Sequence, residues 1–214
     1  MARTLHLDVV IDVVCPWCFV GKRRLDAAIA AVPEIDFTVR YRAFQLDGTI
    51  PAEGKSRERY LSEKFGDPVR WQSMHRQLEE IGADLGIPFR FDAIEISPNT
   101  LDCHRLIHWA QAAGLGDAMV ERLFALFFLE GANLADPETL VAAASDVGLD
   151  AETVRRDLAA AKDRASVEEE IAFAARVGIT GVPCTLIASK YAISGAQPPD
   201  ALADAFRQIA AEAA

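Results

Sequence analysis

The spacing of apolar residues divides the chain into three stretches. Residues 5–14 are rich in Leu, Val and Ile and read as a buried strand. Pro16 follows, where the first turn of a helix accepts proline. Cys18, Gly21, Leu25, Ala28, Ile29 and Val32 then recur at helical spacing, and Pro33 ends the element. Lys22, Arg23, Arg24 and Asp26 fall on the other side. On this reading Cys18 faces inward and Cys15 sits at the exposed start of the helix. Residues 35–44 alternate apolar and polar and read as a second strand.

From residue 56 to residue 165 the signals are helical. "SPNT" at 97–100 predicts a helix start, with Ser97 as cap and Pro98 in the first turn. Its buried stripe is Cys103, Leu106, Ile107, Ala110 and Ala113. "DPET" at 136–139 starts another helix in the same way. Met119, Leu123, Leu126, Phe127 and Phe128 read as core, and Gly131, Gly148 and Gly178 as stops. Strand signals return at 184–188 and 191–194, joined by the polar pair Ser189 and Lys190, which predicts a hairpin. A last amphipathic helix follows "QPPD", with Leu202, Phe206 and Ile209 on one face. The predicted order is β-α-β, a helical insertion, then α-β-β-α, a mixed α/β fold. Segments 1–50 and 166–214 form the core, and 51–165 is the insertion.

Composition narrows the function. The 214 residues are 51% apolar and 25% charged, enough to bury a sizeable core without staples. No apolar run escapes interruption by charge for the length of a membrane span. Asp8 and Asp12 lie inside the first apolar run, unlike a secretory signal, so the expected location is the cytoplasm. A net charge of −10 argues against a bulk electrostatic grip on nucleic acid. The four cysteines, Cys15, Cys18, Cys103 and Cys184, do not form a disulfide framework. Only one close pair exists, so a structural zinc site lacks its second half, and no metal is expected.

That close pair, in "CPWC", stands at the junction of the first strand and helix. Unpaired N–H groups and the positive end of the helix dipole stabilise a thiolate on Cys15. The two-residue spacing brings Cys18 within reach across the first turn, with an ordinary or raised pKa expected for this buried thiol. Cys15 is then the nucleophile and Cys18 the resolver of a mixed disulfide. Pro16 stiffens the turn, and Trp17 either offers an apolar face to a substrate or packs at the surface. Asp12 either tunes the pair and relays the resolver's proton, or charges the helix start. His104 and His108 stand at i and i+4, a metal-binding spacing with no third ligand apparent.

"CPWC", a late "GVP" at 181–183 and the helical block between them resemble the DsbA family of thioredoxin-fold proteins. "DVVCPWCFVGKRRL", "SPNTLDCHRLIHWA" and "SKYAISGAQPP" resemble its FrnE-like branch, dithiol–disulfide oxidoreductases linked to polyketide biosynthesis. The resemblance covers nearly the whole chain. It implies a cis Val182–Pro183 bond packed beside the CPWC turn, with the backbone of Val182 pairing with an extended substrate. It also places Asn99 and His104 in motifs that line the cleft between insertion and core. Cys184 departs from the pattern, since an apolar residue is more usual after this proline. It reads as a small core hydrophobe, against a third exchanging thiol.

Three functions are open on this reading. The first is a thiol–disulfide oxidoreductase or isomerase with no bound cofactor, acting on a protein or small-molecule disulfide or thiol, with glutathione as a redox partner. The second is a glutathione-dependent isomerase or transferase of the kappa or 2-hydroxychromene-2-carboxylate isomerase type, which uses serine where this chain has Cys15. For glutathione as a redox partner, the "SGAQPP" segment at 194–199, which opens the last helix, is a place for its carboxylate. The third is a binding module in which the cysteines are incidental. The oligomeric state stays open, with a homodimer among the options.

Overall fold

The computed structural model describes residues 3–212, so the outermost residues of segments 1–50 and 166–214 lie outside it. The first strand, β1 (Arg3–Ile11), pairs in parallel with β2 (Ile35–Ala43) and antiparallel with β5 (Cys184–Ile187). A short strand, β6 (Tyr191–Ser194), completes the sheet in the order β2-β1-β5-β6. Successive residues of β1 point to opposite faces. Leu7 and Val9 pack toward α1 (Pro16–Ala30) and α9 (Pro199–Glu212), whose Leu202 and Phe206 share their cluster. Val10 and Cys184 point the other way and meet Ala174 of α8 (Arg164–Arg176).

The insertion holds α2 (Arg57–Phe65), α3 (Pro68–Asp84), α4 (Leu101–Ala112), α5 (Gly116–Phe128), α6 (Pro137–Asp146) and α7 (Ala151–Ala159). Two dipeptides within it, β3 (Lys55–Ser56) and β4 (Ile96–Ser97), pair antiparallel and bring the start of α2 beside the segment that precedes α4. One apolar core runs from β1 through α1 into α5. At its centre Phe19 of α1 stacks on Phe124 of α5, with ring centroids 4.9 Å apart, and Phe89 meets Phe19 edge-on at 6.0 Å. Such aromatic pairs add about 0.5–1.5 kcal/mol beyond their buried area. The strand-to-helix junction that carries the two thiols is thereby anchored from both sides.

Two local expectations are corrected. Helix α4 starts at Leu101, because Ser97 is drawn into the β3–β4 ribbon opposite Lys55. Thr100 is the cap residue and makes no side-chain cap bond; Asn99, just before it, accepts from the Leu101 N–H at 3.1 Å. Helix α6 does begin as expected, with Asp136 accepting from Glu138 N–H and Pro137 in the first turn. Periodicity puts Lys22 on the polar side of α1, yet it is buried. Its ammonium contacts Asp26 at 2.9 Å and Asp117 at 3.0 Å, the second from α5. Burial opposes its charge, but these carboxylates outweigh that and raise its pKa. Arg23 pairs with Glu121, and Arg24 donates to the Ala196 carbonyl at 2.6 Å. All three basic residues thus fasten α1 to its neighbours.

Candidate active site

Strand β1 delivers Asp12 and the turn 12–15, closed by a hydrogen bond from Cys15 N–H to the Asp12 carbonyl at 3.0 Å. Cys15 is the cap residue of α1, in extended conformation, and Pro16 occupies the first turn. Both thiols are free, and Cys18 lies beneath Cys15, 1% exposed. Burial pushes the Cys18 thiol well up, with further contributions from its hydrogen bond to Cys15 and from the charge of Asp12.

Cys15 is not exposed as its position at the helix start implied. It is 5% exposed, because the loop before β5 folds over it. The Val182–Pro183 peptide in that loop is cis. The Cys15 Sγ–H points to the Val182 carbonyl at 3.6 Å. Gly21, one turn along α1, permits this approach. A Cβ there would lie 2.9 Å from Pro183 Cγ, inside contact distance. Periodicity assigned Gly21 to the apolar face but gave no sign of this partner. Pro16, Trp17 and Val182 are half-buried around the dithiol, with Trp17 and Val182 packed against the core.

Asp12 is buried at 1% exposure behind the turn. Its Oδ2 accepts from Leu46 N–H at 2.8 Å, and its Oδ1 lies 3.6 Å from His104 Nε2. His104 is corrected from a cleft-lining residue to a buried one. Its Nε2 is 2.8 Å from the Phe44 carbonyl, which can only accept, so that nitrogen carries the hydrogen. Asn99 is also occupied: it accepts from Gln45 at 2.8 Å and donates to the Ile50 carbonyl at 2.6 Å. The two residues therefore clamp the 44–50 loop to the insertion.

The other two cysteines are buried. Cys184 belongs to the cluster of Val10 and Ala174 on the far sheet face, with its pKa raised by burial. Cys103 is fully buried and is raised by burial as well. No group of three or more His, Cys, Asp or Glu suited to a metal ion occurs among the described residues. A cavity of about 760 Å³ runs along that far face, from Val182 and Pro183 to Arg42, which is held between Asp8 and Glu170. No described helix is long and apolar enough to cross a membrane.

Comparison with known proteins agrees with this geometry. Residues 6–207 match the model of the DSBA-like thioredoxin domain. The structure resembles that of a "probable DsbA oxidoreductase" of Streptomyces coelicolor, with a TM-score of 0.88 and 32% identity over 95% of this chain and 89% of that one. It shares its fold with the cytosolic disulfide reductase DsbM of Pseudomonas aeruginosa, solved with GSH (TM-score 0.66, 21% identity, 95% and 98% covered). A 2-hydroxychromene-2-carboxylate isomerase has the same fold (TM-score 0.71, 18% identity, 95% of each chain). With a dithiol at a strand-to-helix turn, a cis-proline loop laid across it and a family match along nearly its whole length, the chain belongs to the DsbA-like thioredoxin-domain family, and its class of chemistry is thiol–disulfide oxidoreduction.

Proposed function

We propose that the protein is a CPWC-dependent dithiol–disulfide oxidoreductase or isomerase of the FrnE-like kind, with Cys15 as nucleophile and Cys18 as resolver. The observation that carries this reading is the stacking of three parts: Val182 carbonyl, Cys15 sulfur at 3.6 Å, and a fully enclosed Cys18 below. Of the two thiols, Cys15 lies against the loop that would take an extended substrate segment, and Cys18, the more deeply buried, is placed to attack Cys15.

The Cys15 thiolate attacks one sulfur of a substrate disulfide. A Cys15–substrate bond forms, the substrate S–S bond breaks, and the second sulfur leaves as a thiolate. Cys18 then gives its proton to Asp12 and attacks the Cys15 sulfur. The Cys15–Cys18 disulfide forms, and the substrate departs carrying two electrons. Two equivalents of a thiol such as glutathione restore the dithiol. Run in reverse, the same steps oxidise a dithiol substrate. The substrate enters past Pro16 and Trp17, pairs with the backbone at Val182 and packs on Pro183. A cytoplasmic setting favours reduction or isomerisation.

The isomerase fold likeness gives a second reading, a glutathione-dependent isomerase or transferase. The paired thiol at Cys18 has no use in that chemistry, which favours the redox reading. The test is equilibration of the protein with glutathione buffers of graded poise, followed by alkylation and mass mapping. A two-electron transition confined to Cys15 and Cys18 supports the proposal, and its midpoint gives the direction of flux. Absence of any such transition overturns it.

A further inference from the structure

Two enclosed side-chain polar atoms lack a hydrogen-bond partner among the described residues: Asp12 Oδ1 and Arg57 Nε. They belong to opposite charges on different parts of the fold. Asp12 stands behind the CPWC turn, and Arg57 opens α2 of the insertion. Both residues line one small cavity with Val14, Tyr60, Ser97 and Thr100. Its free volume is about 10 Å³, close to the room that a single water molecule requires. A buried water also needs two to four polar partners, and this lining offers them.

Among the described residues no carboxylate lies within ion-pair distance of Arg57, although Asp47 lines the same cavity. Its Nη1 donates to Ser97 Oγ at 3.3 Å, and its guanidinium lies 5.7 Å from the Tyr60 ring centre and 5.9 Å from that of Phe127. Burial holds its pKa down to about 10. Arg57 is half-buried as a whole, but its Nε is enclosed; an enclosed N–H without an acceptor is costly, and so is a carboxylate oxygen without a donor. One bridging molecule relieves both.

We propose that a single bound water joins Asp12 Oδ1 to Arg57 Nε, and that Arg57 is thereby a positioning residue for the resolving step at Cys18. The role in resolution rests on the redox reading above; the water site does not. Through the water, the insertion fixes the carboxylate that faces the redox turn. His104 approaches the same oxygen from α4. Removing the guanidinium leaves that oxygen without its partner across the cavity and slows the step in which Cys18 loses its proton.

Two measurements test this. A crystal structure of the intact protein at about 1.2 Å resolution should show one water within hydrogen-bond distance of both atoms. A direct Asp12–Arg57 contact, or no water bridging the two, overturns the site. Stopped-flow reaction with an aromatic disulfide resolves mixed-disulfide formation from its resolution. Arg57→Gln should slow resolution about tenfold, the size of a screened charge effect over several ångströms, while formation keeps its rate. Arg57→Lys should restore most of the loss. In an Asp12→Asn background, Arg57→Gln should have no further effect. Equal slowing in both backgrounds, or equal slowing of both steps, overturns the assignment of Arg57. If the unmutated protein forms no mixed disulfide at all, the redox reading and the role of Arg57 in it fall together, and the crystallographic result alone decides the water site.

Discussion

Gly21→Ala isolates the contact on which the site depends. In the middle of an exposed helix this change is favourable by about 1 kcal/mol. Here the new methyl lies 2.9 Å from Pro183 Cγ, 3.5 Å from Pro183 Cβ and 3.6 Å from Ala196 Cβ. The first distance falls about 1 Å short of a comfortable carbon–carbon contact. Pro183 Cγ is part of a ring fused to the backbone and cannot swing aside. The 181–183 loop must therefore lift away from α1. Overpacking of this kind costs about 1–3 kcal/mol, which outweighs the helix gain and leaves a net destabilisation of about 1 kcal/mol. The lifted loop also withdraws the Val182 carbonyl from Cys15 Sγ. Cys15 is 5% exposed in the native arrangement, so its alkylation by iodoacetamide should accelerate in the variant while disulfide turnover falls. Urea unfolding and timed alkylation with mass mapping read the two effects. A variant more stable by about 1 kcal/mol, with unchanged Cys15 labelling, would refute the reasoning.

Other outcomes follow from the same geometry. Arg105, 1% exposed, donates to the carbonyls of Lys162 and Asp157 and to the Asp102 carboxylate, at 2.7–2.8 Å. Arg105→Met strands those acceptors and should lower stability by about 3 kcal/mol in urea unfolding. His75 has its pKa lowered to about 4, by burial and then by the charge of Arg57. Its folded value lies below its unfolded value of about 6.5. Its contribution is therefore complete above that pH and is lost as pH falls toward 4, by about 1–2 kcal/mol for this half-buried group. His75→Gln should flatten that part of a stability–pH profile, and an unchanged slope would rule the histidine out. Lys22→Met leaves Asp117, Asp26 and Glu121 facing one another without their shared cation. The expected loss is about 2–4 kcal/mol in thermal or urea unfolding, partly recovered by Asp117→Asn in the same chain. Cys18→Ser should trap a Cys15 mixed disulfide with glutathione, visible as a stable mass increment; a variant that forms no such adduct would count against Cys15 as nucleophile.

Much of the framework is local and legible along the chain. The alternation in β2, the apolar stripe of α1 and the Asp136–Pro137 start of α6 depend on neighbours within a few residues. The dithiol turn belongs to the same class, since its chemistry follows from two cysteines at the start of a helix. The last hairpin and helix are readable as well, because turn residues and helical spacing are short-range signals.

What decided the site was contact between distant segments. The turn itself makes Cys15 look exposed; Val182, 167 positions later, covers it. Lys22 looks solvated until Asp117 of α5 meets it, because a long cationic side chain goes wherever carboxylates offset its desolvation. Ser97 has the residue type of a cap, but its pairing with Lys55 takes it into a strand, so Asn99 supplies the side-chain acceptor for the first N–H of α4. His104 and Asn99 carry no mark of the loop they hold. Nothing near Arg57 in the chain points to Asp12, far earlier in the sequence, and only the fold sets them around one cavity. Periodicity determines which face of an element is buried; which polar groups meet inside is fixed only when the elements pack, since a buried charge or hydrogen-bonding group must find its partner across the core.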